Sequence, residues 1–309
     1  MINNVSLVSG FAHKDKSNIF SNVLIKDGIM TAQNDLTGIS VDVESDIDFC
    51  CNAVKLNQSL KNCNKDNYSL SINKNKLQIK SGRFSSNIEL TPIDHYPLIN
   101  HGGDNIEIQS DILSRLNSIA QFTDPNDVRP ALRGVAICEG FVKATNGHVA
   151  IKKTITEIDI DEVIIPTKSI QSMMKANTVI NFISVDSNRV FFNFENGFLF
   201  TRTIDGKMPD IDRILTDIKI PTDISLISDA VKSVASMIDQ TEAIIFNNAI
   251  TTRSGDVSID GFDFEDSAFK SDYLMKIIDV ADRIDLSQYP GTCPFDGDDI
   301  VGAVAPMKL

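Results

Sequence analysis

The feature that most restricts the fold of this chain is an internal repeat. Residues 20–36 (FSNVLIKDGIMTAQNDL) share the layout of residues 132–148 (LRGVAICEGFVKATNGH). Each runs from an apolar residue through Val, a short strand, a Gly turn and a second strand to an Asn at a corner. Phe20 and Leu132, Val23 and Val135, and Asn34 and Asn146 are each 112 residues apart. A fixed period means that one supersecondary unit is copied along the chain. The 309 residues leave room for two or three copies.

The flanking residues extend the repeat. Residues 52–63 (NAVKLNQSLKNC) predict an amphipathic helix with Val54, Leu56 and Leu60 inward. Residues 166–176 (PTKSIQSMMKA) predict its counterpart, with Ile170, Met173 and Met174 inward. Strands follow each helix, over 68–72, 76–80 and 84–90 and then over 179–185, 189–194 and 197–203, with Gly, Asn and Asp turns between them. Both copies close on a loop holding Asp and Pro, at 93–97 and 204–209. A third copy is shorter. It reads as a helix over 223–239 capped by Asp223, strands over 243–246 and 249–253, a helix over 271–281 with Tyr273, Leu274, Ile277 and Ile278 inward, and a last strand over 300–307. The expected fold is α+β: three tandem domains, 1–104, 105–217 and 218–309, each with two helices and antiparallel sheets.

Charge limits the partners. The net charge is −13, which opposes general coating by nucleic acid unless the cations gather on one face. Outward helix positions carry Lys55, Lys61, Arg115, Lys168, Lys175, Lys232, Lys270 and Lys276, and Lys14 follows the first helix. The acids fall mostly in strands and loops, as in Asp42–Asp48, Glu157–Glu162 and Asp296–Asp299. These lysines are either an ordinary solvated helix face or one shared positive surface. Stacked copies, which would line their helices side by side, favour the second reading.

The five cysteines (Cys50, Cys51, Cys63, Cys138, Cys293) are odd in number and form no CxxC pair, as expected of reduced thiols in a reducing compartment. No apolar run is long enough to cross a bilayer, and the first residues lack a signal-peptide pattern, so a cytoplasmic location is expected. Phosphate-cradling GxxxxGK[ST] and GxGxxG loops are absent. The four histidines have no zinc-site spacing, and Asp296–Asp299 lacks the EF-hand pattern. No catalytic centre, metal or cofactor is expected.

Three motifs then carry a resemblance. Lys143-Ala-Thr-Asn-Gly-His148 is similar to an Ala-Thr-Asp-Gly-His corner, Thr203-Ile-Asp-Gly-Lys-Met-Pro-Asp210 to an Ile-Asp-Gly-basic-Phe-Pro-Asp loop, and Ala305-Pro-Met-Lys-Leu309 to a terminal Met-Pro-Met-Arg-Leu. With them in order across the repeats, the chain resembles the bacterial-type sliding clamp, the processivity subunit of the replicative DNA polymerase. The resemblance implies three like domains per chain and two chains closing head to tail into a ring around duplex DNA. Helices would line the hole, which needs diffuse positive charge and no sequence readout. It also implies a groove for short peptides with Gln and Leu-Phe anchors from the polymerase and clamp loader. That groove would comprise Leu132, Thr145, Gly147, His148, Val149 and Ala150, then Pro209, Arg213 and Ile214, then Val304, Ala305, Pro306, Met307, Lys308 and Leu309. Core packing is the alternative for Pro209 and the terminal strand, and a simple turn residue the alternative for His148.

The implied DNA-facing set is Lys14, Lys55, Lys61, Arg115, Arg129, Lys168, Lys175, Lys232 and Lys276, with solvated loop charges the alternative for Lys14 and Arg129. The chain departs from the family pattern at Asn146 (Asp), at Val149 (commonly Arg) and at Lys308 (Arg), which loses bidentate geometry. Such divergence suits a bacteriophage or distant bacterial lineage. Two other classes remain: a β-rich structural or interaction protein, such as a virion component that never meets DNA, and a metal-dependent hydrolase, which would need converging carboxylates.

Overall fold

The computed structural model describes residues 2–108, 111–155, 158–259 and 266–308. Among them are six α-helices: α1 (Ile2–Ser9), α2 (Ala53–Lys61), α3 (Ile112–Ala120), α4 (Thr167–Met173), α5 (Ile224–Ala235) and α6 (Ser271–Ile278). Every strand pair is antiparallel, so the architecture is α+β as expected. Local chemistry sets the helix starts. The Asn52 side chain accepts from Lys55 N and begins α2, and Asp223 accepts from Ser225 N and begins α5. Helical spacing then puts Ala53, Leu56 and Leu60 on the buried stripe of α2. Val54, expected inward, is instead 49% exposed, because it lies more than roughly a third of a turn from the centre of that stripe.

The chain forms two compact units. The first comprises residues 1–113 and 168–203. Its eleven-stranded sheet runs in the order Ser69–Asn73, Lys76–Ser81, Phe84–Thr91, Phe49–Asn52, Asn22–Lys26, Ile29–Gln33, Thr37–Asp42, Gly197–Arg202, Arg189–Phe194, Phe182–Asp186, Ile106–Glu107. Phe49, Leu56, Phe191 and Phe192 are fully buried in its core. The second unit comprises residues 114–167 and 204–309. Its eight-stranded sheet runs Val163–Pro166, Gly134–Cys138, Phe141–Thr145, Val149–Thr154, Ile300–Val304, Cys293–Asp296, Arg283–Ile284, Thr222–Asp223. A second sheet runs Gly255–Val257, Ile250–Thr252, Ala243–Phe246, Ser267–Lys270. Phe122 stacks on Phe295 at 6.4 Å, and Phe246 meets Phe269 edge-on at 6.0 Å.

The units do not follow the repeat, because the two larger sheets each join strands of two copies. Thr37–Asp42 pairs with Gly197–Arg202, and Val149–Thr154 pairs with Ile300–Val304. At the first seam a Cβ on Gly38 would sit 2.3 Å from the Phe200 ring, so only glycine lets that ring cross the neighbouring strand.

The backbone and Oδ1 bonds of the Asn corner recur in both copies. Asn34 N donates to Thr37 O at 2.8 Å, its Oδ1 accepts from Leu36 N and Thr37 N, and Arg202 N donates to Leu36 O. Asn146 N donates to Val149 O at 3.2 Å, its Oδ1 accepts from His148 N and Val149 N, and Ala305 N donates to His148 O. The buried cluster Leu24, Cys50 and Tyr96, with Phe20 against it, has its counterpart in Leu132, Ala136, Ile164 and Met208.

All five cysteines are free thiols. Burial pushes the Cys50 and Cys293 thiols up to about 12 and Cys51 higher still. A thiol-reactive probe at pH 8 is therefore expected to label the half-buried Cys63 and Cys138 in the native chain. It should reach Cys50, Cys51 and Cys293 only after denaturation. Mass mapping that found these three labelled in the folded protein would contradict the burial.

Candidate partner groove and basic faces

The corner at Asn146 is built from side chains as much as from backbone. Gly147 supplies the left-handed residue, with φ 88°, whereas Asn146 works through its Oδ1. Thr145 is 4% exposed; its hydroxyl donates to Val149 O at 2.7 Å and accepts from Gly147 N at 3.0 Å. A Cβ on Gly147 would come within 2.8 Å of Arg129 Nη2. Gly147→Ala is therefore expected to lower the unfolding free energy by about 1–2 kcal/mol, mostly from the left-handed backbone. Urea denaturation reads this directly; an unchanged midpoint would contradict the corner geometry.

The terminal segment docks beside this corner. After Val304 the chain leaves the strand ladder, earlier than the expected 307, yet stays bonded: Ala305 N to His148 O at 2.7 Å and Met307 N to Ala268 O at 2.7 Å. Tyr289 Oη donates to Met307 O at 3.3 Å. The Asp-Gly loop is tied from below. Met208 N donates to Glu162 Oε1 at 2.8 Å, Glu162 also pairs with Lys143 at 3.2 Å, and the Met208 side chain joins the Leu132 cluster.

The expected groove residues thus divide into a frame and a surface. Leu132, Thr145, Val149, Ala150 and Val304 are buried and form the frame. Gly147, His148, Pro209, Arg213, Ile214, Met307 and Lys308 are exposed, with Ala305 and Pro306 half-buried between them. Arg213 pairs with Asp210 at 2.8 Å, and Ile214 and Met307 are the apolar surface, at 42% and 36% exposure. Leu309 lies outside the described residues, as does Glu157 of the acidic tract.

The structure adds three residues here. The His148 ring stacks on Tyr273 at 5.8 Å and 20°, and Lys270 Nζ lies 4.7 Å above the Tyr273 ring. Tyr273, expected inside the α6 stripe, is half-buried with its ring on this surface. Arg129, expected to face DNA, sits against the corner at Gly147. There its side chain and backbone N–H hold the Asp127 carboxyl down at about 2. Helical periodicity could not single out Tyr273, because a ring at the edge of a buried stripe reads as core.

The remaining cations differ in availability. In the first unit Lys14, Lys55, Lys61, Lys168 and Lys175 are exposed. In the second, Lys232 is exposed, Lys276 pairs with Asp272 at 2.8 Å, and Arg115 is bound to Thr154 O and Asp299. Among the described residues no group of three His, Cys, Asp or Glu side chains could hold a metal ion, and no helix is long and apolar enough to cross a membrane.

These features can be set beside known proteins. No protein-family model matches the chain. The DNA polymerase III subunit beta of Pseudomonas aeruginosa superposes with a TM-score of 0.83 at 20% identity, covering 100% of this chain and 97% of that one. The fold is that of the bacterial sliding clamps. The clamp of Bacillus subtilis superposes equally well, with a TM-score of 0.83 at 17% identity over 100% and 97% of the two chains. A Helicobacter pylori clamp bound to a DNA ligase peptide gives 0.80 at 15% identity, with the same coverage. In sequence, the beta sliding clamp of Bacillus subtilis (strain 168) is 28% identical over 151 residues, which spans 44% of this chain and 40% of that protein.

Proposed function

We propose that this chain is a divergent sliding clamp that encircles duplex DNA and tethers a replicative DNA polymerase, with no catalytic step of its own. The observation that carries this reading is the end-to-end correspondence with the clamp structures, with no part of the chain left over. The three copies, 1–104, 105–217 and 218–309, serve as three like domains, and two chains join head to tail in the cytoplasm. Charge supports that joint. Residues 55–83 hold seven cations and a single acid, Asp66, whereas residues 254–266 hold five acids and no cation. These stretches include the outermost strands of two sheets, Ser69–Asn73 and Gly255–Val257, whose unpaired edges would be satisfied by each other.

The exposed helix lysines face the duplex as mobile point charges, which hold phosphates without fixing a register. Arg115 and Lys276, both spent on carboxylates, contribute less. The surface of His148, Tyr273, Pro209, Ile214 and Met307 takes the apolar anchors of polymerase and clamp-loader peptides. The peptide-bound state of the Helicobacter pylori relative supports a peptide as the partner. Light scattering after size exclusion is expected to give twice the 34.0 kDa chain mass, and addition to a polymerase on primed circular DNA to lengthen its products. A monomer that leaves product length unchanged would favour the structural-protein reading.

A further inference from the structure

In the second unit, the sheet face that carries the corner continues into a hollow of about 460 Å³. The register makes it continuous with the proposed groove. Ala150 pairs with Ala303, and one pleat further Lys152 pairs with Val301, on the same face. Asp212, on its rim, directly precedes Arg213 and Ile214. The floor is apolar, from Phe141, Ile300 and Val301, the last 46% exposed.

The cations at this hollow are already committed. Lys152 bonds Asp212 at 2.8 Å and lies 3.9 Å over the Phe141 ring, while Lys153 and Arg115 both pair with Asp299. Two rim carboxylates, Asp217 and Asp298, are exposed and have no ion-pair partner among the described residues.

The first unit provides an internal comparison. Ile29, Ser40 and Asn100 stand 112 residues before Phe141, Lys152 and Asp212, and Ser40 pairs with Phe198 as Lys152 pairs with Val301. They line a hollow of about 450 Å³ whose far rim is Leu98, Ile99 and His101. Lys26 and Asp27 line that hollow as one charge of each sign, whereas the second hollow sets Asp212, Asp217, Asp298 and Asp299 against Lys152 alone, so the acidic excess belongs to one of the two copies.

We propose that the acidic hollow takes the basic flank of the same partner peptide whose apolar anchors enter the groove. A Lys or Arg would lay its methylene stem over Phe141 and Val301 and place its head between Asp217 and Asp298. This rests on the groove reading above. The probe is a synthetic peptide with Gln and Leu-Phe anchors, made unflanked, with three lysines or with three glutamates at either end, and titrated onto the full chain by fluorescence anisotropy.

At low salt the best lysine-flanked peptide is expected to bind about fivefold tighter than the unflanked one, the scale of two exposed ion pairs, and the glutamate-flanked peptides more weakly. Asp217→Asn with Asp298→Asn should erase that gain and leave the unflanked affinity unchanged. Glu44→Gln with Asp46→Asn, which removes the same charge from exposed positions in the other unit, should leave the gain intact. Equal binding of all flanks, or a gain lost equally in both double variants, overturns the hollow alone. Failure of the unflanked peptide to bind overturns the groove reading and the hollow with it.

Discussion

Met307→Ala is expected to weaken binding of a peptide with Gln and Leu-Phe anchors by about thirtyfold, the ~2 kcal/mol carried by one well-placed anchor contact. Met307 is 36% exposed, yet its backbone is fixed at both ends, N to Ala268 O and O to Tyr289 Oη. Its side chain is therefore presented from a held backbone, and its thioether can adapt to a Leu or Phe partner. Because those bonds are backbone bonds at residue 307, the alanine variant keeps them, and its thermal midpoint should stay close to that of the parent chain. Titration calorimetry and a melting curve on the same sample separate the two effects. Unchanged affinity would remove Met307 from the groove, and a large fall in midpoint would make it a packing residue.

The second large effect concerns stability. Asp285→Ala is expected to cost about 2–4 kcal/mol, because it removes the shared charged acceptor of five part-buried hydrogen bonds at once. Asp285 is fully buried. Its Oδ2 accepts from Lys219 N at 2.8 Å, Ile220 N at 3.2 Å and Gln288 Nε2 at 3.3 Å, and its Oδ1 accepts from Ser287 N and Oγ. It thereby ties residues 219–220, which lead into α5, to the edge of the eight-stranded sheet. Burial alone would raise its pKa, but these bonds to the ionised form outweigh burial and hold it below the usual carboxylate value. A depressed folded pKa contributes stability above the unfolded value of about 3.9, and that contribution disappears as pH falls through the lower folded value. Urea denaturation should therefore show the gap between parent and variant in full at pH 7 and narrowing below about pH 4. A gap that is the same at both ends of the range would mean the ionised carboxylate is not what holds the connection.

Much of this was legible in the sequence, for reasons particular residues make plain. The 112-residue offset was readable because the Asn34 and Asn146 corners use the same side-chain bonds, and only a few residue types can make them. The helices were readable from caps such as Asp223 and from the Leu56–Leu60 stripe. Val54 was misplaced because its apolar character was read without its phase; its place two residues before Leu56 puts it on nearly the opposite side of the helix from that residue. The pairing of Thr37–Asp42 with Gly197–Arg202 was invisible for a different reason. A strand pattern shows that a partner is needed, not which distant strand supplies it, and this is why the compact units cut across the repeat. Motif reading named the Asn146 corner and the terminal segment, which the structure brings together through Ala305 N and His148 O. It did not single out Tyr273, whose ring meets His148 only through folding, or Lys270, whose ammonium lies over that ring, and it expected Arg129 at the duplex, whereas its guanidinium stands at the corner.

The central claim is geometric, and images of the purified particle by negative-stain electron microscopy test it most directly. The account predicts class averages of a closed ring of two chains, with six similar lobes around a hole wide enough to pass a DNA duplex. Solid particles, or lobes strung in an open line at concentrations where light scattering reports the dimer, would contradict it.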